Sequence, residues 1–134
     1  QRLGDTWTKP VPTVLPNNNS SISALKLASG RIAIAYNPTH APHPVYGKVA
    51  WPGLRCPVAV ALSEDGGKTW PMIRVMERGE GFTGDENTTN NKQYEYPYLM
   101  QGKDGRLQSG ICLQKQNRYQ IHELHRRRCH GCKA

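Results

Sequence analysis

Between residues 24 and 36 a short strand-like run, Ala24-Leu25-Lys26-Leu27, meets a Ser29-Gly30 turn. Arg31 then leads into Ile32-Ala33-Ile34-Ala35-Tyr36. Apolar runs of this length on either side of a Gly-containing turn predict a β-hairpin. The same arrangement returns with Pro97–Gln101 as a strand, Asp104-Gly105 as the turn, and Arg106-Leu107 opening a second strand. Between the two, Pro57–Leu62 predicts a further apolar strand, followed by Ser63-Glu64-Asp65-Gly66-Gly67-Lys68-Thr69-Trp70. Gly4-Asp5-Thr6-Trp7 is a shorter echo of that segment. Strand and turn signals recurring at intervals of tens of residues predict a repeat array such as a propeller.

The segment Ser63-x-Asp65-x-Gly67-x-Thr69-Trp70 carries its own physical reading. Ser and Asp side chains can bond the backbone of a tight turn, two glycines permit positive φ, and Thr-Trp opens the next strand with a large apolar anchor. It is a self-contained lock on a hairpin.

Composition agrees with many short strands. A chain of 134 residues with 13 Gly, 10 Pro, a single Phe and 37% hydrophobic residues is turn-rich and apolar-poor, unlike a helical bundle. Length alone fits one compact domain. No apolar run approaches the roughly 20 residues of a membrane-spanning helix, so no membrane partner is expected. The net charge of +8 invites a nucleic-acid reading. Before Gln108, however, basic residues stand singly among acids, whereas Arg126-Arg127-Arg128 lie in the final stretch. The charge is a tail property, and no nucleic-acid partner is expected. Cys56, Cys112, Cys129 and Cys132 are too unevenly placed for a disulfide framework. Sequons at Asn18, Asn19 and Asn87 leave the compartment open.

The Ser-x-Asp-x-Gly-x-Thr-Trp segment resembles the Asp-box of sialidases and related six-bladed β-propellers. Several flanking segments carry the same resemblance: Leu15-Pro16-Asn17-Asn18-Asn19-Ser20, the Gly-Arg turns at Gly30-Arg31 and Gly105-Arg106, Tyr36-Asn37-Pro38, Arg55, and Tyr94-Glu95-Tyr96-Pro97. The resemblance spans residues 2–107. It implies three arginines that hold a carboxylated sugar, a Tyr nucleophile activated by a Glu, and an Asp acid/base. It places two of the arginines, the Asp and the Glu before the late blades. The third Arg and the Tyr lie late, where Arg55 and Tyr96 stand. Each also has a plainer reading: Arg55 as a solvated residue beside a strand, and Tyr96 as packing on a face shared with Tyr94 and Tyr98. Glu95, on the opposite face from Tyr96, is poorly placed as its base. Asn17, Asn18 and Asn19 resemble an element opening a strand on the active-site side. Asn17 and Asn19 are then sugar contacts, unless the asparagines bond only their own turn. His40 and His43 lie in a proline-rich loop, Asn37–Pro52, read either as pocket mouth or as loop chemistry.

After Leu107 the apolar alternation breaks down, and three readings stay open for residues 108–134. His122, His125, Cys129, His130 and Cys132 supply zinc-type ligands. A reading frame displaced by one base over Gly110–His122 can restore a strand, turn and strand. A plain disordered basic tail is the third.

The expectation is therefore an all-β chain of about two blades of antiparallel four-stranded sheet, a partial propeller over residues 1–107 with a divergent basic tail at 108–134. By resemblance it is part of a sialidase-like glycoside hydrolase that removes a terminal acidic sugar, inactive alone. The alternative is a non-catalytic carbohydrate-binding or structural propeller module. The expected partner is a glycan or sialic-acid-like sugar, with no cofactor and no metal. The rest of a propeller would be missing, leaving sheet edges open to self-association.

Overall fold

The structure, a computed structural model, describes residues 4, 6–18, 20–39, 55–78, 94–113 and 118–124. Seven strands follow in order: β1 (Ser23–Lys26), β2 (Ile32–Tyr36), β3 (Val58–Ser63), β4 (Met72–Glu77), β5 (Tyr94–Gln101), β6 (Leu107–Leu113) and β7 (Arg118–Leu124). There is no helix among the described residues. β1–β4 form one four-stranded sheet and β5–β7 a three-stranded one, each a meander of antiparallel neighbours. The all-β expectation is met, and the two antiparallel sheets are consistent with partial propeller blades, with three strands rather than the expected four in the second sheet among the described residues.

The repeat seen in the sequence is a repeat of hydrogen bonds. In the β1–β2 turn, Leu27 N–H donates to the Arg31 carbonyl at 2.8 Å and Gly30 N–H to the Leu27 carbonyl at 2.9 Å. In the β5–β6 turn, Gly102 N–H donates to the Arg106 carbonyl and Gly105 N–H to the Gly102 carbonyl, both at 2.9 Å. Gly30 and Gly105 take φ of 85° and 79°, a region open to glycine without strain. Each sheet thus begins with the same hairpin.

The sheets pack through small residues. Ala33, Ala35 and Val60 from the first sheet meet Leu99 and Leu107 from the second, with Leu25, Leu62, Met76 and Leu124 around them. Alanines are weak strand formers, but their short side chains on β2 let the larger leucines of the facing sheet seat against them. A second cluster, Tyr36, Ala59, Ala61 and Trp70, lies on the other face of the first sheet, with Leu15 from the N-terminal segment packed on it. Val58, Tyr94 and Ile111 close the far end of the inter-sheet core.

Two sequence expectations fail here. The alternation does not end at Leu107: Leu107, Ser109 and Ile111 are buried, with less buried residues between them, and β6 pairs fully with β7. Small polar Ser109 fills an inward slot, so hydropathy alone does not reveal the strand. Nor do Tyr94, Tyr96 and Tyr98 share a face. Between the pairs Glu95↔Cys112 and Tyr98↔Gly110, two residues on β5 oppose one on β6, which is a β-bulge. Pro97, without an N–H to give to the ladder, fits that position. The extra residue turns Tyr94 into the core while Tyr96 and Tyr98 face outward.

Candidate functional site

Arg55 stands immediately before β3 and is held by its backbone. Its carbonyl accepts the Tyr94 N–H at 3.1 Å and the Asn37 side-chain amide at 2.8 Å. Asn37 also donates to the Pro57 carbonyl at 3.0 Å, so one buried amide at the end of β2 pins both sides of the segment. The Asn37 Oδ1 is buried and has no hydrogen-bond partner among the described residues.

The guanidinium then turns to β5. Arg55 Nη1 lies 3.2 Å from Glu95 Oε1, with side chains only 9% and 6% exposed. Its Cζ lies 5.9 Å from the centre of the Tyr96 ring, within cation–π range. The structure therefore brings together Arg55 and Tyr96, 41 positions apart in sequence, and adds Glu95 as the charge partner of Arg55. The plainer reading of Arg55 as a solvated surface residue does not hold, because it is buried.

Tyr96 sits in the bulge with φ of 46°, and it is the one non-glycine among the described residues with positive φ. For an L-residue this conformation costs about 1–2 kcal/mol, and such strain gathers at functional sites. Its hydroxyl donates no hydrogen bond to a carboxylate among the described residues. Glu95 is buried and Tyr96 is exposed, and the Arg55 guanidinium reaches both. On its outward side Tyr96 lines a shallow hollow of about 340 Å³ with Tyr98, Met100, Gln108, Gly110 and Ile121.

In the Asn-rich segment, Asn18 bonds its own neighbour Ser20. Asn18 is buried, and its Oδ1 accepts the Ser20 N–H at 3.2 Å and also the Ser20 hydroxyl. Asn17 is exposed and is not among the partners of Arg55 or Tyr96. Asn19, His40 and His43 lie outside the described residues, as do His125, Cys129, His130 and Cys132. Among the described residues no three His, Cys, Asp or Glu side chains gather as metal ligands.

At the opposite end of β3 the Asp-box forms its lock. Ser63 hydroxyl donates to Asp65 Oδ1 and accepts the Gly67 N–H, both at 2.8 Å. Asp65 accepts the Thr69 N–H at 2.8 Å and the Thr69 hydroxyl at 2.6 Å. Trp70 Nε1 donates to the Gly67 carbonyl at 3.1 Å, which folds its ring over the turn. The Thr69 hydroxyl first, then its backbone N–H and the Ser63 hydroxyl, hold the Asp65 carboxyl far below the usual carboxylate range. Six strand residues at about 3.3 Å each put this lock roughly 20 Å from Arg55. It shapes the hairpin and touches nothing at the Arg55 corner.

The sequence reasoning missed Glu95 as a partner of Arg55. The signal was present in the odd run Tyr-Glu-Tyr-Pro, whose proline marks the bulge that reorients the tyrosines around it. The model of the BNR repeat-like domain family matches residues 1–109. No curated protein and no solved structure matches the chain.

Proposed function

The chain belongs to the BNR repeat-like domain family, and from this we propose that it forms two sheets of a sialidase-like β-propeller that handles a terminal sugar of glycoconjugates. The observation that supports this reading is the packing of Arg55 against Tyr96, at a backbone corner held by Asn37 and strained at Tyr96. An arginine offers several N–H donors to sugar oxygens, and an exposed tyrosine offers an aromatic face and a hydroxyl. In the hydrolase form of the proposal, Tyr96 is the nucleophile and Arg55 orients the sugar. The Asp, the activating Glu and the other arginines come from the rest of a propeller, so the chain alone is inert.

A second reading, carbohydrate binding without hydrolysis, is favoured by one observation: Glu95, the carboxylate next in sequence to Tyr96, is committed to Arg55. Saturation-transfer NMR of the chain with a panel of oligosaccharides tests both readings. Sugar signals that disappear in Arg55→Gln and Tyr96→Ala support a sugar site; no signals, or signals unchanged in both variants, remove it. Release of methylumbelliferone from aryl glycosides by a full propeller containing these residues, abolished in Tyr96→Phe, separates hydrolysis from binding. Equal rates would take Tyr96 out of the mechanism.

A further inference from the structure

Arg55 and Glu95 form a buried pair at 3.2 Å. Opposite charges this close, withdrawn from water, present little net field to a ligand. A sugar carboxylate approaching the guanidinium would compete with Glu95, whose Oε1 already holds Nη1. The Tyr96 ring at 5.9 Å also covers part of the guanidinium.

What the corner exposes is aromatic and neutral. Tyr96 and Tyr98 are 63% and 62% exposed. The hollow they line holds about 340 Å³, and none of its lining residues is charged. Its size reaches the lower end of small-molecule sites, about 300–1,000 Å³. Phenol rings beside one side-chain amide, that of Gln108, suit the apolar face and hydroxyl edge of an uncharged pyranose. Resting on the sugar-site reading above, we infer that this corner takes an uncharged sugar stacked on Tyr96 and Tyr98, and that Glu95 is the specificity-determining residue that turns carboxylated sugars away.

The test titrates the chain with methyl glycosides of galactose, glucose, mannose and rhamnose, and with those of glucuronic and N-acetylneuraminic acid, following NMR shifts. The wild type is expected to bind at least one uncharged glycoside and to bind neither acid more tightly. Glu95→Gln removes the competing carboxylate, so affinity for an acidic glycoside rises about tenfold or more, the scale of one charge-assisted hydrogen bond. Arg55→Gln/Glu95→Gln removes that gain, because the freed guanidinium is what the acid would grip. Acid binding by the wild type with the uncharged glycosides silent overturns the inference but leaves the sugar site standing. An unchanged acid-to-neutral ratio in a folded Glu95→Gln also overturns it. If that variant does not fold, the wild-type comparison decides alone. Silence with every glycoside removes the sugar site and this inference together.

Discussion

The side chain of Gln101, at the end of β5, accepts the backbone N–H of Ala28 at 2.8 Å, across 73 positions of sequence. Its Nε2 donates to the Gly105 carbonyl at 2.9 Å, so one glutamine joins the two equivalent hairpin turns. Nearby, the Ser23 hydroxyl accepts the Leu99 N–H at 3.1 Å, a further bond between the two hairpins. Both of the Gln101 bonds are exposed, so each contributes little more than the net value of a solvent-accessible hydrogen bond. Gln101→Ala is expected to cost about 1 kcal/mol in urea unfolding. It should also speed amide exchange at Ala28 selectively. Exchange at Ala28 unchanged from the wild type would show that the tie is not formed in solution.

These hairpins were readable because each turn carries its own chemistry: a glycine in the left-handed region and strands of matching length on either side. The Asp-box was readable for the same reason, since every group that closes it lies within eight residues. What the sequence hid was non-local. Whether Arg55 is buried depends on Asn37 and Glu95, which reach it from just past the end of β2 and from β5. A β-bulge at Tyr96 reverses the side-chain parity that a regular strand would have. Strand β6 was hidden by Ser109 and Gly110, small residues that occupy strand positions without an apolar signature.

Asp65 binds its turn only as a carboxylate, which accepts from both Thr69 groups and from Ser63. Its folded-state pKa is depressed, so its contribution to stability is fully present above the unfolded value of 3.8 and is lost as pH falls below it. Asp65→Asn should therefore lower the melting temperature at pH 7 and flatten the acid limb of the stability profile below about pH 4. Parallel thermal melts of wild type and variant from pH 7 down to pH 2.5 test this. Curves that keep a constant separation down to the lowest pH would show that Asp65 does not link turn stability to protons.

His122 on β7 reaches across to the first sheet, with Nε2 3.2 Å from Glu77 Oε1. That nitrogen makes no hydrogen bond among the described residues. Burial first, and then the positive charge of Arg74, push its pKa below the ordinary 6.5, so the nearby carboxylate does not dominate. With the folded value depressed, the unfolded chain takes up the proton first as pH falls. Stability is then fully present above 6.5 and declines below it. Urea midpoints should fall between pH 7.5 and pH 5 in the wild type and fall less in His122→Gln. A midpoint that rises on acidification would mean that Glu77 outweighs burial.

Ile111 is fully buried against Val58 and Tyr94, so a residue beyond the boundary expected at Leu107 sits in the shared core. Truncation of such a side chain removes both its transfer free energy and its packing. Ile111→Ala is expected to cost about 2–5 kcal/mol. The same substitution at exposed Ile121 on β7 should change stability by about 0.5 kcal/mol or less. If both variants unfold at the wild-type denaturant midpoint, residues 108–124 are not part of the cooperative unit.

Tyr96 holds its unfavourable backbone conformation at the same place where its ring meets Arg55, so strain and site coincide in one residue. Glycine adopts a φ of 46° without the Cβ clash, and Tyr96→Gly should recover about 1–2 kcal/mol of backbone strain. Against this stands the loss of one partly exposed cation–π contact, about 0.5–1 kcal/mol. The side chain is mostly exposed, so little packing is lost with it. The variant is expected to be as stable as the wild type or more stable by about 1 kcal/mol, while losing the ring on which a sugar would stack. Tyr96→Phe keeps the ring and the strain, and should match wild-type stability. Equilibrium unfolding of the three proteins, followed by circular dichroism, distinguishes these effects. A Tyr96→Gly variant less stable than the wild type by more than about 1 kcal/mol would mean that the tyrosine is held there for packing, and that the strained bulge is not a feature kept for binding.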